Sequence, residues 1–390
     1  MTFAERIDAL TIDDLRASGA TKWVAPGIDI GAFIAEMDFG VAAPIQSALR
    51  DSVDAQVFGY LPASMLRDVQ QATAATLASR GYPVSPDHVI AVPDVLRALE
   101  LTLTRLTSSG GKVIVPTPSY MPFLFVPPRI GRDVIEVPMI DDAGTWRFDI
   151  DALRAAFAAG GEILLLCQPF NPLGRVFTAD ELAAVSAVVD EVGGHVFADE
   201  IWAPLTLPGA EHVSYATVTD AAAQHTVTAT SAAKGWNLPG LKCAQLIVAG
   251  DEDRERFDDA DWISHGASTM GAAATIAAYT EGESWLTDVV DYLDGNRAEL
   301  LRLVPEHLPG VTMNRPEGTY VGWLDFTGAG IENPGAFFAE NAGVGVTDGR
   351  SCGIAGVGSA RFIFATPRPI MREAITRMGT ALRANGYSRP

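Results

Sequence analysis

The sequence predicts an α/β protein: a mostly parallel sheet of the seven-stranded type with helices on both faces, joined to a smaller α+β domain. Three observations predict it. The chain has 390 residues, more than one hydrophobic core serves, since domains run to roughly 100–200 residues. Through its middle, short apolar runs alternate with helical stretches, the mark of buried strands linked by crossover helices. Beyond Pro305 and Pro309 the pattern changes to short strands and a closing helix.

Taken in order, His88–Val92 reads as a strand and Val95–Leu106 as the helix behind it. Lys112–Val115, Ile163–Leu166, Val196–Ala198, Thr226–Thr230 and Ala244–Val248 read as further strands. Ala179–Val192 is an amphipathic helix that Thr178 can cap. Ser284–Leu303 reads as one long helix, with Pro305 marking a boundary. Tyr320–Phe326 and Ala360–Phe364 are strands, and Ile370–Asn385 closes the chain as a helix. The expected division is 1–50 with 290–390 as the small domain and 51–289 as the large one.

Composition narrows the function. The net charge is −20, which disfavours electrostatic binding to nucleic acid or an anionic membrane. A local phosphate site is still compatible with it. The three cysteines, Cys167, Cys243 and Cys352, are far apart and form no CxxC pair, so a disulfide framework is not expected and a reducing compartment is. The first ten residues are charged where a signal peptide is apolar. No apolar run reaches the roughly 18 residues of a membrane span. The cytoplasm is the expected location. The six histidines show no metal-ligand spacing, and no catalytic metal is predicted.

In open α/β sheets the ligand binds beyond the carboxyl ends of the strands. The segments following those ends are therefore informative. Pro-Thr-Pro-Ser-Tyr120 follows one strand, and Cys-Gln-Pro-Phe-Asn171-Pro-Leu-Gly174 follows another. Asp199-Glu200 ends a third, and a fourth runs into Ser231-Ala-Ala-Lys234. An aromatic, an amide, a carboxylate and a lysine thus converge on one edge. That set suits pyridoxal phosphate (PLP). The lysine can form an imine with its aldehyde and shuttle a Cα proton. The carboxylate can keep the pyridine nitrogen protonated, the amide can hydrogen-bond the 3′ oxygen, and the aromatic can stack on the ring. The helix opening at Asp94-Val95-Leu96 offers free N–H groups to a phosphate. Each residue alone has a plainer reading: a solvated lysine, a helix-capping Asp199, a turn at Asn171-Pro-Leu-Gly174, a core aromatic at Tyr120. It is their joint order that points to the coenzyme.

The series Asn171-Pro-Leu-Gly, Asp199-Glu-Ile and Ser231-Ala-Ala-Lys234-Gly-Trp-Asn-Leu-Pro-Gly-Leu-Lys242 resembles the fold-type I PLP enzymes of the aspartate aminotransferase superfamily. Ala35-Glu-Met-Asp-Phe, Phe58-Gly-Tyr60, Pro118-Ser-Tyr120-Met-Pro-Phe and Asp348-Gly349 resemble its MalY/PatB-type cystathionine β-lyase branch. The likeness runs from about residue 20 to the C-terminus.

The resemblance implies roles. Lys234 would be the Schiff-base lysine, Asp199 the partner of the pyridine nitrogen, Asn171 the contact of the 3′ oxygen and Tyr120 the stacking ring. Val95 and Leu96 would offer N–H groups to the phosphate, with the Ser231 hydroxyl and the Lys242 charge. Many relatives have arginine where Lys242 stands; lysine brings a charge without a fork. Tyr60 would reach the phosphate of a neighbouring subunit, which implies a homodimer with shared active sites. The loop Gly266–Gly271 would approach the same interface. Arg361 would clamp the substrate α-carboxylate. Two positions depart from the branch: Phe170 and Trp202 stand where relatives carry histidine. Trp202, at a position beside the 3′ oxygen, has one N–H to give and Phe170 has none, so a more apolar pocket is expected.

The implied activity is C–S β-lysis of cystathionine or cysteine S-conjugates to a thiol, pyruvate and ammonia. An aminotransferase would use the same lysine up to the carbanion. A regulatory binding protein on the same fold is a third reading, against which Lys234, Asp199, Asn171 and Arg361 all stand.

Overall fold

The structure, a computed structural model, describes residues 1–387, with Asp261 described by its backbone alone. The large sheet has seven strands: β1 (Val89–Val92), β2 (Lys112–Thr117), β3 (Asp133–Pro138), β4 (Gly161–Cys167), β5 (His195–Asp199), β6 (Thr226–Thr230) and β7 (Ala244–Val248). Their order across the sheet is β1-β7-β6-β5-β4-β2-β3. β7 runs antiparallel to both its neighbours, and the other pairings are parallel. The central strands are buried on both faces: Leu164, Leu165 and Leu166 of β4 are each 0% exposed. That explains why they read as unbroken apolar runs rather than alternating ones.

Helices cover both faces. Helix α1 (Val95–Leu106) starts where Asp94 caps it and packs on β5, β6 and β7. Helix α2 (Pro122–Arg129) follows Tyr120. Helix α3 (Ala179–Val192) opens on a Thr178–Glu181 capping box and ends at Gly193, which is left-handed at φ 64°. A one-turn helix, α4 (Ala232–Gly235), carries Lys234 directly off the end of β6.

The chain continues into α5 (Thr269–Glu281) and the long helix α6 (Glu283–His307). The helix runs on past the boundary expected at Pro305, because a proline in the last turn forfeits one hydrogen bond while Leu308 N–H closes the turn on the Val304 carbonyl at 2.8 Å. It also spans residue 290, where the two domains were expected to meet. A second sheet is antiparallel: β8 (Thr312–Met313), β9 (Val321–Asp325), β10 (Thr347–Asp348) and β11 (Ser359–Ile363), in the order β8-β9-β11-β10. The closing helix α7 (Arg368–Ala384) packs on α6.

The N-terminal segment forms a two-stranded sheet beside this second sheet. Ile30–Gly31 pairs in parallel with Val344–Gly345, and Ile363 N–H donates to the Ala32 carbonyl at 2.9 Å. Residues 33–38 then cross toward the ends of β5 and β6. β3 is the one strand of the large sheet missing from the sequence expectations. It lies at the sheet edge and is only partly buried, so it lacks the long apolar run that marks its neighbours.

Candidate active site

A cleft of about 660 Å³ opens beyond the carboxyl ends of the strands, between the large sheet, the N-terminal segment and the second sheet. Lys234, Asp199, Asn171, Tyr120, Trp202, Val95, Leu96, Lys242 and Arg361 all line it. These residues lie as much as 266 positions apart in the chain, from Val95 to Arg361, and the sheet topology gathers them.

Lys234 stands in the cleft wall with Nζ donating to the Ala35 carbonyl at 2.6 Å. Its Nζ also lies 5.4 Å from the centre of the Trp202 ring. Burial, aided by the Arg361 charge, pulls its pKa down to about 8 against the opposing pull of Asp199. The amine is therefore partly neutral, hence nucleophilic, near physiological pH. Asp199 is 3% exposed at the end of β5. Burial raises its carboxyl to about 7, and an N–H of Ile201 at 3.1 Å and the Lys234 charge hold it from rising further. A cation brought against this carboxylate would keep it ionised.

Arg361 sits in mid-strand on β11, opposite Trp323 on one side and Thr347 on the other. It is 3% exposed. Its guanidinium donates to the Phe33 carbonyl at 2.8 Å and to Asn171 Oδ1 and Thr347 Oγ1, each at 3.3 Å. Among the described residues it has no carboxylate partner, and its Nε–H has no acceptor. A buried cation of this kind costs several kcal/mol unless an anion joins it. The cleft is thus built for an anionic group that the protein does not itself supply.

Asn171 is 2% exposed, held with its side-chain oxygen toward Arg361. The Tyr120 ring lines the cleft and meets Phe123 in a T-shaped pair at 5.6 Å between centres. Burial raises the Tyr120 phenol. Trp202 is 2% exposed and packs edge-on to Tyr320 at 4.6 Å. Phe170 is 1% exposed and packs against Phe148 and Phe177; it does not line the cleft. The apolar character expected of it belongs to the core behind.

At the opening of α1, Asp94 accepts from Arg97 N–H at 2.9 Å. The N–H groups of Val95 and Leu96 have no partner among the described residues and face the cleft end of the helix, a ready anion site. Lys242 adds a charge there, paired with Asp94 at 2.9 Å. The Ser231 hydroxyl does not share in this arrangement. It caps α4 by accepting from Ala233 N–H and gives its one proton to the Cys243 carbonyl at 2.7 Å. The phosphate contact expected of Ser231 would require that proton to turn from the Cys243 carbonyl. Tyr60 is 88% exposed and does not line the cleft of its own chain.

Sequence reasoning gave no role to Phe33, Ile34, Ala35 and Glu36, which close one side of the cleft. It also gave none to Asn237, whose side chain pairs with both the N–H and the carbonyl of Met37 at 2.9 and 3.0 Å. The signal available for Asn237 was its place inside the series Ser231–Lys242 that carries the resemblance, three residues beyond Lys234. Among the described residues, no three histidine, cysteine, aspartate or glutamate side chains gather as a metal set.

The residues fit a flat, phosphorylated pyridine aldehyde: an amine for the aldehyde, a carboxylate for the ring nitrogen, a helix opening for the phosphate and a spare guanidinium for a substrate carboxylate. Comparison with known proteins agrees. The family model for aminotransferase class I and II matches residues 36–378. The cystathionine beta-lyase of Corynebacterium glutamicum is 34% identical over 95% of this chain and 99% of its own. The crystal structure of the aecd protein of Corynebacterium diphtheriae is 37% identical with TM-score 0.89, covering 96% of this chain and 98% of that one. The PLP-bound C-S lyase of Staphylococcus hominis is 25% identical with TM-score 0.88, covering 96% and 97%. The chain belongs to the aminotransferase class I and II family.

Proposed function

We propose that the chain is a PLP-dependent C–S β-lyase that cleaves cystathionine or cysteine S-conjugates to a thiol, pyruvate and ammonia. The observation that carries this reading is the convergence of Lys234, Asp199, Asn171 and an unpaired buried Arg361 on one cleft. The relatives named cystathionine beta-lyase and C-S lyase support the choice of reaction.

When bound, the coenzyme withdraws electrons from the substrate Cα, so that a thiolate can leave from Cβ once the Cα proton is gone. The protein's part is binding, orientation and proton transfer. Lys234, with its partly neutral amine, would hold the aldehyde, and its Nζ would serve as the base for the Cα proton. Asp199 would hold a proton on the ring nitrogen, and that positive charge would keep the carboxylate ionised despite its burial. Asn171 would donate to the 3′ oxygen, and Tyr120 would stack on the ring. The Val95 and Leu96 N–H groups, with Lys242, would hold the phosphate. Arg361 binds the substrate carboxylate and thereby fixes the orientation of the Cα–H bond.

Tyr60 supports a homodimer with shared active sites: an exposed tyrosine outside its own cleft suits contact with a partner's phosphate. The same reading takes 1–50 with 290–390 as the small domain and 51–289 as the large one. The bond from Ile363 N–H to the Ala32 carbonyl and those from Ala32 N–H to Gly345 and Asp38 N–H to Ala365 support the grouping of the N-terminal segment with the C-terminal part. It also takes the enzyme as cytoplasmic, supported by three free, buried cysteines. No helix among the described residues is long and apolar enough to cross a membrane.

The test is to supply the purified, PLP-loaded protein with L-cystathionine and S-alkyl-L-cysteines. Release of thiol and pyruvate in equal amounts is expected. Absence of both from every substrate, with conversion of the coenzyme to its pyridoxamine form, would replace the lyase by an aminotransferase.

A further inference from the structure

Of the charged side chains of the cleft, Asp94 is taken up by the Arg97 N–H and by Lys242, and Glu36 has neither such partners nor a task in the mechanism above. It lines the cleft, and its Oε1 is buried without a hydrogen-bond partner. Among the described residues it joins no ion pair. Of the nearby cations, Lys22 pairs with Asp38 at 3.1 Å and Lys242 with Asp94 at 2.9 Å, while Lys234 bonds the Ala35 carbonyl at 2.6 Å and feels the Glu36 charge without forming an ion pair with it.

The backbone around Glu36 is firmly held. The ammonium of Lys22, 1% exposed, donates to the Glu36 carbonyl at 2.9 Å. The next residue, Met37, is clamped at both its N–H and its carbonyl by Asn237. The preceding residue, Ala35, accepts from Tyr320 Oη at 2.9 Å as well as from Lys234. A carboxylate fixed on so braced a segment, with an oxygen left unpaired, is prepared for a donor that arrives with the ligand.

The charges of the cleft indicate which donor. Arg361 is matched by the substrate carboxylate and the opening of α1 by a phosphate. After these pairings Glu36 remains an anion outside any ion pair, and the one cation whose charge it feels without such a pair, Lys234, is given to the aldehyde. We infer that Glu36 is a specificity-determining residue that binds a cationic group, an ammonium above all, carried on the sulfur substituent of the substrate. The inference rests on the lyase reading for its substrate class and adds a preference: S-substituents ending in an amine over neutral ones of equal size.

The test uses an isosteric pair, S-(2-aminoethyl)-L-cysteine and S-propyl-L-cysteine, with the PLP-loaded wild type and with Glu36→Gln and Glu36→Asp. Two quantities are read: affinity, from the change of the coenzyme's visible band on titration, and kcat/KM for thiol release. The wild type should prefer the amine by about tenfold or more, the size of a charge-assisted hydrogen bond in a partly buried site. Glu36→Gln should lose that preference while handling the propyl compound nearly as the wild type does, and Glu36→Asp should restore part of it. Equal affinity of the wild type for both compounds would overturn the inference. So would an equal loss on both in Glu36→Gln. Retention of the coenzyme band in each variant verifies that it is folded and loaded. Should neither compound release a thiol, the lyase reading fails, and the band titration still decides the role of Glu36.

Discussion

Replacing Arg361 with methionine separates binding of a substrate carboxylate from stability of the fold. In the substrate-free protein the guanidinium is buried, bonded to the Phe33 carbonyl and to Asn171 and Thr347, and without an anion. Removing it relieves the cost of an unpaired buried cation, several kcal/mol. It also strips two or three acceptors of a donor, at about 1–3 kcal/mol each. The two nearly cancel, so the melting temperature should move by no more than roughly 5 °C. With substrate the balance is one-sided. Two charge-assisted hydrogen bonds to a carboxylate are worth roughly 3–6 kcal/mol together, a fall of about 10²–10⁴ in kcat/KM. The assay is titration of the coenzyme's visible band and thiol release with S-ethyl-L-cysteine, beside band titration with S-ethylcysteamine, the same molecule without its carboxylate. Arg361→Met should weaken the first strongly and the second hardly at all. A loss below about tenfold, or an equal loss for both ligands, would refute the assigned role.

Further expectations follow from the other cleft residues. Capture of PLP by the coenzyme-free protein should accelerate as the pH rises toward about 8 and level off above it, because the neutral amine of Lys234 is the attacking form; stopped-flow absorbance from pH 6 to 10 checks this. Asp199→Asn should keep the coenzyme bound but cut turnover by about a hundredfold or more, the scale of losing one preorganised electrostatic partner. In the coenzyme-free protein the same substitution should raise stability above pH 7. The buried carboxyl has its pKa raised to about 7, so its ionisation burdens the fold fully above that pH and not below its unfolded value; melting curves at pH 5 and 9 read the difference. Tyr60→Ala should weaken PLP affinity, and mixing it with inactive Lys234→Ala chains at limiting PLP should give more activity than the Tyr60→Ala chains show alone. No recovery on mixing would exclude a shared site.

Much of this arrangement was legible in the sequence because local signals and tertiary demands agreed. Val113–Val115 and Ile163–Leu166 are buried on both faces, and their apolar runs announce it. Helices α1 and α3 begin at Asp94 and Thr178, whose side chains cap them, so their limits could be read directly. Lys234, Asp199, Asn171 and Tyr120 each stand just past a strand end, where the topology of such a sheet directs side chains into a common crevice.

What escaped was set by distant contacts. Residues 33–36 have no periodic pattern; their place comes from pairing of Ile30–Gly31 with Val344–Gly345 and from the Asn237 clamp on Met37, about 200 residues away. The edge strand Asp133–Pro138 lacks an apolar run because one side of it has no neighbour. Pro305 suggested an end that packing of Leu303 and Val304 overrides.

The most direct measurement is to load the protein with PLP, reduce it with borohydride and map the modified residue by peptide mass spectrometry. The coenzyme should be found fixed to Lys234, with the visible band abolished by the reduction. A label on another lysine, or a protein that takes up no PLP and stays colourless, would contradict the assignment of this cleft.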